Sequence, residues 1–91
     1  MNNSMYIGHK PLMEYVRAVV AHFTTHGGTT LIIHARGKLI SRAVDVAQMS
    51  CNRFLQHIAQ VQLVQIGSED FQNEEGKLVR VSTIEISVSK K

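Results

Sequence analysis

Basic side chains occur at two points where the chain is expected to leave a β-strand and enter a helix. His9 and Lys10 follow the first apolar run, and Arg36-Gly37-Lys38 follows the second. The first turn of a helix presents free backbone N–H groups and the positive end of the helix dipole, and both favour a bound anion. Gly8 and Gly37 allow the backbone to approach a phosphate closely. This pattern predicts a phosphate-binding surface built from two loops.

Three further side chains are expected to extend this surface. Arg42 lies one turn into the second predicted helix, and His9 and His34 flank the two loops. An ordinary histidine has a pKa of about 6.5, so both rings gain charge as the pH falls below that value. We therefore expect the affinity for polyanions to rise between about pH 7.5 and 5.5.

Hydrophobic periodicity predicts the elements that position these loops. Apolar residues recur at helical spacing over residues 11–26 and 39–56, and strands are expected over 5–7, 29–35, 60–67 and 77–89. The order is β-α-β-α-β-β. Two βα units in succession favour a parallel pairing of the first two strands, which brings both basic loops to one edge of the sheet. We expect one α/β domain over residues 1–91, with residues 1–4 lacking fixed structure.

The last two strands form a hairpin that closes at a turn over residues 73–76. In the final strand, Ile84 and Ile86 have one parity and Val79 and Val81 have the other. Either a bulge lies near residues 82–83, or the outer hairpin leaves its own core and packs elsewhere. In the second case, residues 67–73 would carry an arm roughly 20 Å beyond the body.

Charge is divided unequally along the chain. The 91 residues contain ten Lys and Arg and seven Asp and Glu, for a net charge of +3. Four of the acids, Glu69, Asp70, Glu74 and Glu75, lie within seven residues of the hairpin. The other 84 residues have ten bases against three acids, or +7. The prediction is a strongly basic body with an acidic hairpin tip of solvated turn charges.

Few residues have the types and spacing that an enzyme or a metal site needs. Cys51, the one cysteine, falls on an apolar stripe and is expected to be a packed thiol, with no disulfide. His22 and His26 are spaced i, i+4 without a third ligand nearby, so we expect exposed histidines and no metal. No nucleophile, base and orienting group can be assembled, so neither catalysis nor a cofactor is expected.

Two other classes of function are disfavoured. The longest apolar run has only four residues, and the N-terminus lacks a signal-peptide pattern, which predicts a cytoplasmic protein without a membrane partner. Aromatic residues are few and scattered, so a row of stacking side chains for single strands is not expected. Phe71 either packs on its own hairpin or makes an intermolecular contact.

Four segments carry a family resemblance. They are Gly8-His9-Lys10-Pro11, residues 33–45 (IHARGKLISRAVD), Asn52-Arg53-Phe54 and residues 80–86 (RVSTIEI). Their types and order resemble the Alba family of small basic nucleic-acid-binding proteins over nearly the whole chain, from Tyr6 to Lys91.

The resemblance implies a two-layer α/β (α+β) sandwich, similar to the C-terminal domain of a bacterial translation initiation factor, with a protruding hairpin arm. It also implies a homodimer that coats and compacts double-stranded DNA with little sequence preference, as a chromatin or nucleoid protein, and that binds RNA in many cases. The implied phosphate contacts are Lys10, Arg36, Lys38 and Arg42, with Lys77 and Arg80 as arm contacts. Phe54, with its neighbours Asn52 and Arg53, matches the position of contacts between dimers, although the periodicity alone places Phe54 in the core.

The chain departs from the family pattern in two places. His9 replaces the first residue of a lysine pair, the one linked to regulation by acetylation, and His34 replaces a strand lysine. The acidic tip is unusual for an arm that lies against phosphate; it projects past the groove, contacts a neighbouring subunit or stays mobile until binding. Two alternatives remain open: a ribonucleoprotein subunit that binds structured RNA, and a non-catalytic protein-interaction module.

Overall fold

The computed structural model describes residues 3–91, which form four strands and two helices. The strands are β1 (Ser4–Tyr6), β2 (Thr30–Arg36), β3 (Ala59–Gln72) and β4 (Leu78–Lys90). The helices are α1 (Leu12–Thr24) and α2 (Ile40–Met49). A 3-10 turn (Gly37–Leu39) leads into α2, and a π-helical turn (Ser50–Phe54) continues it. The order β-α-β-α-β-β is the one that the periodicity predicted.

The four strands form one sheet in the order β1-β2-β4-β3. β1 and β2 pair in parallel, as the connectivity predicted, and β4 pairs antiparallel with both β2 and β3. β1 begins at Ser4, inside the segment expected to lack fixed structure, because the Ile32 N–H donates to the Asn3 carbonyl oxygen at 2.7 Å. The same expectation for residues 1 and 2 lies outside the described residues.

Both helices pack on one face of the sheet. The core is formed by alternate residues of β2 and β4 together with one stripe of each helix. Ile33, Val19 and Val46 illustrate it, since each is fully buried. The other face of the sheet, on which the side chains of Tyr6 and His34 lie, has no helix over it within the described chain. We call it the open face.

The hairpin of β3 and β4 extends beyond the two helices. β4 pairs with β3 in an unbroken register past residues 82–83, and the irregularity of the pair lies instead in β3, between Val61 and Leu63. Of the two explanations for the change of parity, the bulge near residues 82–83 is therefore wrong. The apolar face changes because the outer hairpin has left the helices, and the protein is accordingly 47 Å long and 24 Å across. We call residues 67–83 the arm.

Candidate nucleic-acid interface

The two basic loops lie side by side at one edge of the sheet. The chain leaves β1 and β2 at the same edge because the two strands are parallel. Arg42 on α2 links the loops, since its Nη2 donates a hydrogen bond to the carbonyl oxygen of Lys10. His9, Lys10 and Lys38 are exposed around this contact. The structure thus brings together the two loops that the sequence pattern had grouped.

Arg42 supports the first loop rather than lying free on the surface. Its side chain is only partly exposed, and its Nε is buried without a hydrogen-bond partner among residues 3–91. A guanidinium has five N–H donors in a planar fork, so an arginine can hold one backbone carbonyl and still present other donors outward. Arg42 therefore positions Lys10, a role that its predicted phosphate contact did not include.

The backbone of the first loop is held by a tyrosine rather than left free for an anion. The Tyr15 hydroxyl accepts hydrogen bonds from the Gly8 N–H at 2.8 Å and from the Lys10 N–H at 3.3 Å. A side chain at position 8 would come within 3.2 Å of that hydroxyl, so Gly8 makes room for Tyr15. The Gly8 N–H is therefore used in an internal contact with Tyr15, where the sequence had suggested an approach of phosphate.

The second loop keeps the form that the sequence suggested. Gly37 has a φ of +60°, a conformation in which residues with a Cβ are strained, and it starts the 3-10 turn before α2. Arg36 and Lys38 on either side of it are exposed. This loop therefore presents two cations at the N-terminal side of a helix, where the dipole also favours an anion.

Acidic residues of the arm lie against two arginines, one at the end of β2 and one in the arm itself. Arg36 Nη1 is 3.3 Å from Glu69 Oε2, and Arg80 Nε is 2.9 Å from Asp70 Oδ1. Glu69 and Asp70 belong to β3, so the prediction that they lie in the turn is wrong for these two, whereas both side chains are exposed as expected. Two of the proposed nucleic-acid contacts are therefore already paired with carboxylates.

The turn at the tip of the arm is held by Asn73. Its Oδ1 accepts hydrogen bonds from the backbone N–H groups of Glu75 and Lys77, both at 3.0 Å, and Gly76 has a φ of +80°. The Lys77 ammonium is 3.9 Å from a Glu75 carboxylate oxygen, and both side chains are exposed. Lys77 therefore remains accessible to an external anion.

His34 lies on the open face in a fixed orientation. Its ring is stacked on Tyr6, with ring centroids 4.5 Å apart and planes inclined by 13°. Its Nε2 is 3.1 Å from Ser4 Oγ, and its Nδ1 is 3.7 Å from a carboxylate oxygen of Glu85. Sequence reasoning missed this stacked pair, although the parallel register of β1 and β2 makes Tyr6 and His34 neighbours. The expected rise of polyanion affinity between about pH 7.5 and 5.5 stays a prediction.

The segment Asn52-Arg53-Phe54 lies away from the loops, in the π-helical turn after α2. All three side chains are exposed, and Phe54 is 49% exposed beside a shallow groove of α1. The periodicity had placed Phe54 in the core, and that interpretation is wrong because the π-helical turn shifts the residues after Met49 relative to α-helical spacing. Leu55 occupies the core position instead.

This combination of fold, basic loops and arm agrees with the comparison to known families. The family model for Alba matches residues 3–68. The chain belongs to the Alba family. Alba proteins are nucleic-acid-binding architectural proteins, and the chain is accordingly not an enzyme.

Relatives of the chain match it over nearly their whole length. A protein of Methanococcus maripaludis named "DNA/RNA-binding protein Alba" is 42% identical over 99% of this chain and 100% of its own. "DNA/RNA-binding protein Alba 1" of Archaeoglobus fulgidus is 45% identical over 98% and 97%. The solved structure of Alba from Thermoplasma volcanium superposes with a TM-score of 0.87 at 41% identity, over 96% of this chain and 99% of that one. These matches confirm the Alba fold predicted from the sequence.

Two side chains outside the basic loops, His22 and Cys51, are buried in the body. His22 is buried rather than exposed, and its Nε2 lies 2.7 Å from the Thr30 carbonyl oxygen. Cys51 is buried as predicted, and burial raises the pKa of its thiol above the ordinary value, although the charge of Lys91 acts in the opposite direction. Both side chains contribute to the packing of the body.

The remaining classes of site can be checked on the described chain. Nowhere between residues 3 and 91 do three or more His, Cys, Asp or Glu side chains come close enough to hold a metal ion. In the same range, each helix is too short or too polar to cross a membrane.

Proposed function

We propose that residues 1–91 form a single domain that binds double-stranded DNA with little sequence preference. It acts as a homodimer that coats and compacts DNA, and it associates with the chromosome in the cytoplasm. The observation that carries the proposal is the pair of basic loops at one edge of the sheet beside an arm that carries Lys77 and Arg80. Relatives named "DNA/RNA-binding protein Alba" support a nucleic acid as the ligand.

The proposed contacts are charged groups that recognise phosphate without reading bases. Lys10 and Lys38 are exposed at the loops, Arg36 lies where the arm leaves the body, and Arg80 lies part-way along the arm. His9, His34, Gly37 and Arg42 complete the surface, with Arg42 acting also through Lys10. Contacts of this kind fix the position of a duplex and give affinity that is largely independent of sequence.

Exposed apolar side chains on β3 support the homodimer. β3 is an edge strand, because within the sheet it pairs only with β4. Val64 and Ile66 lie on its helix-facing side, beyond the helices, and are 50% and 84% exposed. Unpaired edge strands with apolar side chains tend to be covered by another chain. A second copy that covers this strip would double the number of phosphate contacts.

Contacts between dimers are proposed at Phe54, with Asn52 and Arg53 beside it. An exposed phenylalanine next to an arginine is a common anchor of protein interfaces. Such contacts would align neighbouring dimers on DNA and make binding cooperative.

Structured RNA is the second candidate ligand, and the names of the relatives are the observation that favours it. A competition titration between duplex DNA and a folded RNA separates the two ligands. A protein-interaction module would instead bind no polyanion, even at about 50 mM salt.

A charge-reversal experiment tests the proposed surface. We expect Arg36→Glu with Lys38→Glu to abolish binding of duplex DNA and to leave the fold intact, because both side chains are exposed. The matched control is Lys90→Glu with Lys91→Glu. It changes the net charge equally, but at the C-terminal end of β4, about 20 Å from the loop that carries Arg36 and Lys38. Equal losses from the two pairs would contradict the proposed surface.

The salt dependence of binding provides a second test. About four phosphate contacts in each chain give about eight in a homodimer, so the logarithm of affinity should fall with the logarithm of salt with a slope of roughly −7. A slope shallower than about −2 would contradict binding through these cations.

A further inference from the structure

The ring of Tyr6 is unusually exposed for a large side chain that is also held in place. Its fractional exposure is 71%, yet the ring lies flat on His34. Only one ring face can be used in that stack, so the other is turned toward solvent. A flat, exposed aromatic face is what an unpaired nucleobase stacks on, because every base has a π-face of similar size.

The support beneath Tyr6 is held by contacts on both sides of the His34 ring. His34 has contacts at both ring nitrogens, with Ser4 Oγ at 3.1 Å on one side and the Glu85 carboxylate at 3.7 Å on the other. The His34 side chain is only 20% exposed, so Tyr6 covers much of it. A platform that is already ordered loses little conformational entropy when a base stacks on it.

The stacked pair borders an open cavity of about 390 Å³ whose walls favour a base over a phosphate. Its lining includes Tyr6, His34 and Arg36, together with Glu69 beside Arg36 and Glu85 beside His34. Two carboxylates would repel a phosphate placed inside the cavity. A neutral base is not repelled, and its amino groups can donate hydrogen bonds to carboxylate oxygens.

The phosphate of such a nucleotide would lie at Arg36, where it takes the place of the Glu69 carboxylate. Arg36 is two residues beyond His34 on the same face of β2, about 7 Å along the strand. Its side chain is 64% exposed, and the loop that follows carries Lys38. The cavity is therefore continuous with the proposed phosphate-binding surface, and one nucleotide can reach both.

We propose that the open face carries a site for an unpaired nucleobase, which stacks on Tyr6 while its phosphate lies at Arg36. The ligand is a nucleic acid with unpaired bases: an RNA loop or bulge, or a single-stranded region of DNA. The bases of an intact duplex are stacked within the helix and cannot reach Tyr6. The site deepens the proposed function, on which it rests, by adding a second mode of recognition to the binding of duplex backbone.

The test compares two variants of Tyr6 on three ligands. Tyr6→Phe keeps the flat ring, whereas Tyr6→Leu keeps a large apolar side chain without a ring. The ligands are a hairpin RNA, a DNA hairpin with the same loop, and a fully paired duplex of the stem sequence. Binding is measured at one fixed salt concentration, and a 2-aminopurine in each loop reports stacking through quenching of its fluorescence.

We expect Tyr6→Leu to lose about 5- to 150-fold in affinity for a looped ligand, as base stacking is worth about 1–3 kcal/mol per base. The quenching should be lost with it, whereas Tyr6→Phe should bind within about twofold of the natural chain. Neither variant should change the affinity for the paired duplex. The hairpin that responds, RNA or DNA, identifies the natural source of the unpaired base.

Two results would overturn the site. One is a Tyr6→Leu variant that binds looped ligands as tightly as the natural chain, and the other is an equal loss on looped and fully paired ligands. Failure of the proposed duplex function has a different signature, since the natural chain would then bind loops but not the duplex. A natural chain that binds none of the three ligands contradicts both proposals.

Discussion

The two arginine–carboxylate pairs of the arm predict that acidic residues limit the affinity for DNA. Glu69 and Asp70 hold Arg36 and Arg80 at 3.3 and 2.9 Å, so a phosphate must displace a carboxylate to reach either arginine. We expect the double variant Glu69→Gln with Asp70→Asn to bind duplex DNA more tightly, because both arginines are then free.

The size of the gain follows from the exposure of the pairs. The side chains are between 44% and 74% exposed, and solvated ion pairs of this kind contribute about 0.5 kcal/mol each. A homodimer contains two such pairs per chain and four in total, so about 2 kcal/mol is recovered when none has to be broken. This corresponds to a gain of about thirtyfold in affinity.

The assay is a fluorescence titration of duplex DNA at about 0.15 M salt, where charges more than roughly 8 Å apart are screened. The matched control is Glu74→Gln with Glu75→Gln, which removes the same number of charges from the same arm and leaves both arginine pairs in place. We expect only a small gain from the control. Equal gains from the two double variants would refute the exchange of carboxylate for phosphate and leave only a general effect of net charge.

Three further predictions concern the dimer, its assembly and the first loop. Ile66→Glu places a charge in the exposed strip of β3 and should give a monomer in analytical ultracentrifugation; an unchanged dimer would contradict the proposed interface. Phe54→Ala should reduce the cooperativity of DNA binding without changing the mass of the dimer, and unchanged cooperativity would exclude a contact there. Tyr15→Phe leaves the N–H groups of Gly8 and Lys10 without their acceptor and should lower the free energy of unfolding by about 1–3 kcal/mol. Chemical denaturation measures this loss, and an unchanged free energy of unfolding would show that water replaces the hydroxyl.

The position of the basic loops could be predicted from the connectivity of the chain, because two successive βα units can be arranged in few ways. Two successive βα units give parallel strands, and the loops that leave parallel strands share an edge of the sheet. Arg36 and Lys38 therefore lie beside His9 and Lys10, as expected. The internal contacts of Arg42 and Tyr15 with the first loop depend on how helices sit on the sheet, which periodicity does not specify.

The ion pairs of the arm were missed because they depend on the register of the hairpin. A turn over residues 73–76 would pair residue 72 with residue 77 and would place Asp70 opposite Val79. The observed turn is one residue longer, because Gln72 pairs with Leu78, and Asp70 then faces Arg80. A shift of one residue moves every side chain to the other face of a strand. Glu69 and Asp70 therefore lie on β3 beside the two arginines, and not in the turn at the tip of the arm.

The structure divides the basic surface into two kinds of cation with different consequences for binding. No acidic side chain between residues 3 and 91 lies within 4 Å of the Lys10 or Lys38 ammonium, whereas Arg36 and Arg80 already have carboxylate partners. A phosphate that binds a lysine gains the full electrostatic attraction. A phosphate that binds one of the arginines gains only the difference between its own attraction and that of the carboxylate it replaces. The loops should therefore provide most of the affinity for any polyanion. The arm adds to the affinity only for a ligand whose shape brings phosphate close enough to replace a carboxylate, so the acids of β3 make binding depend on the geometry of the nucleic acid as well as on its charge.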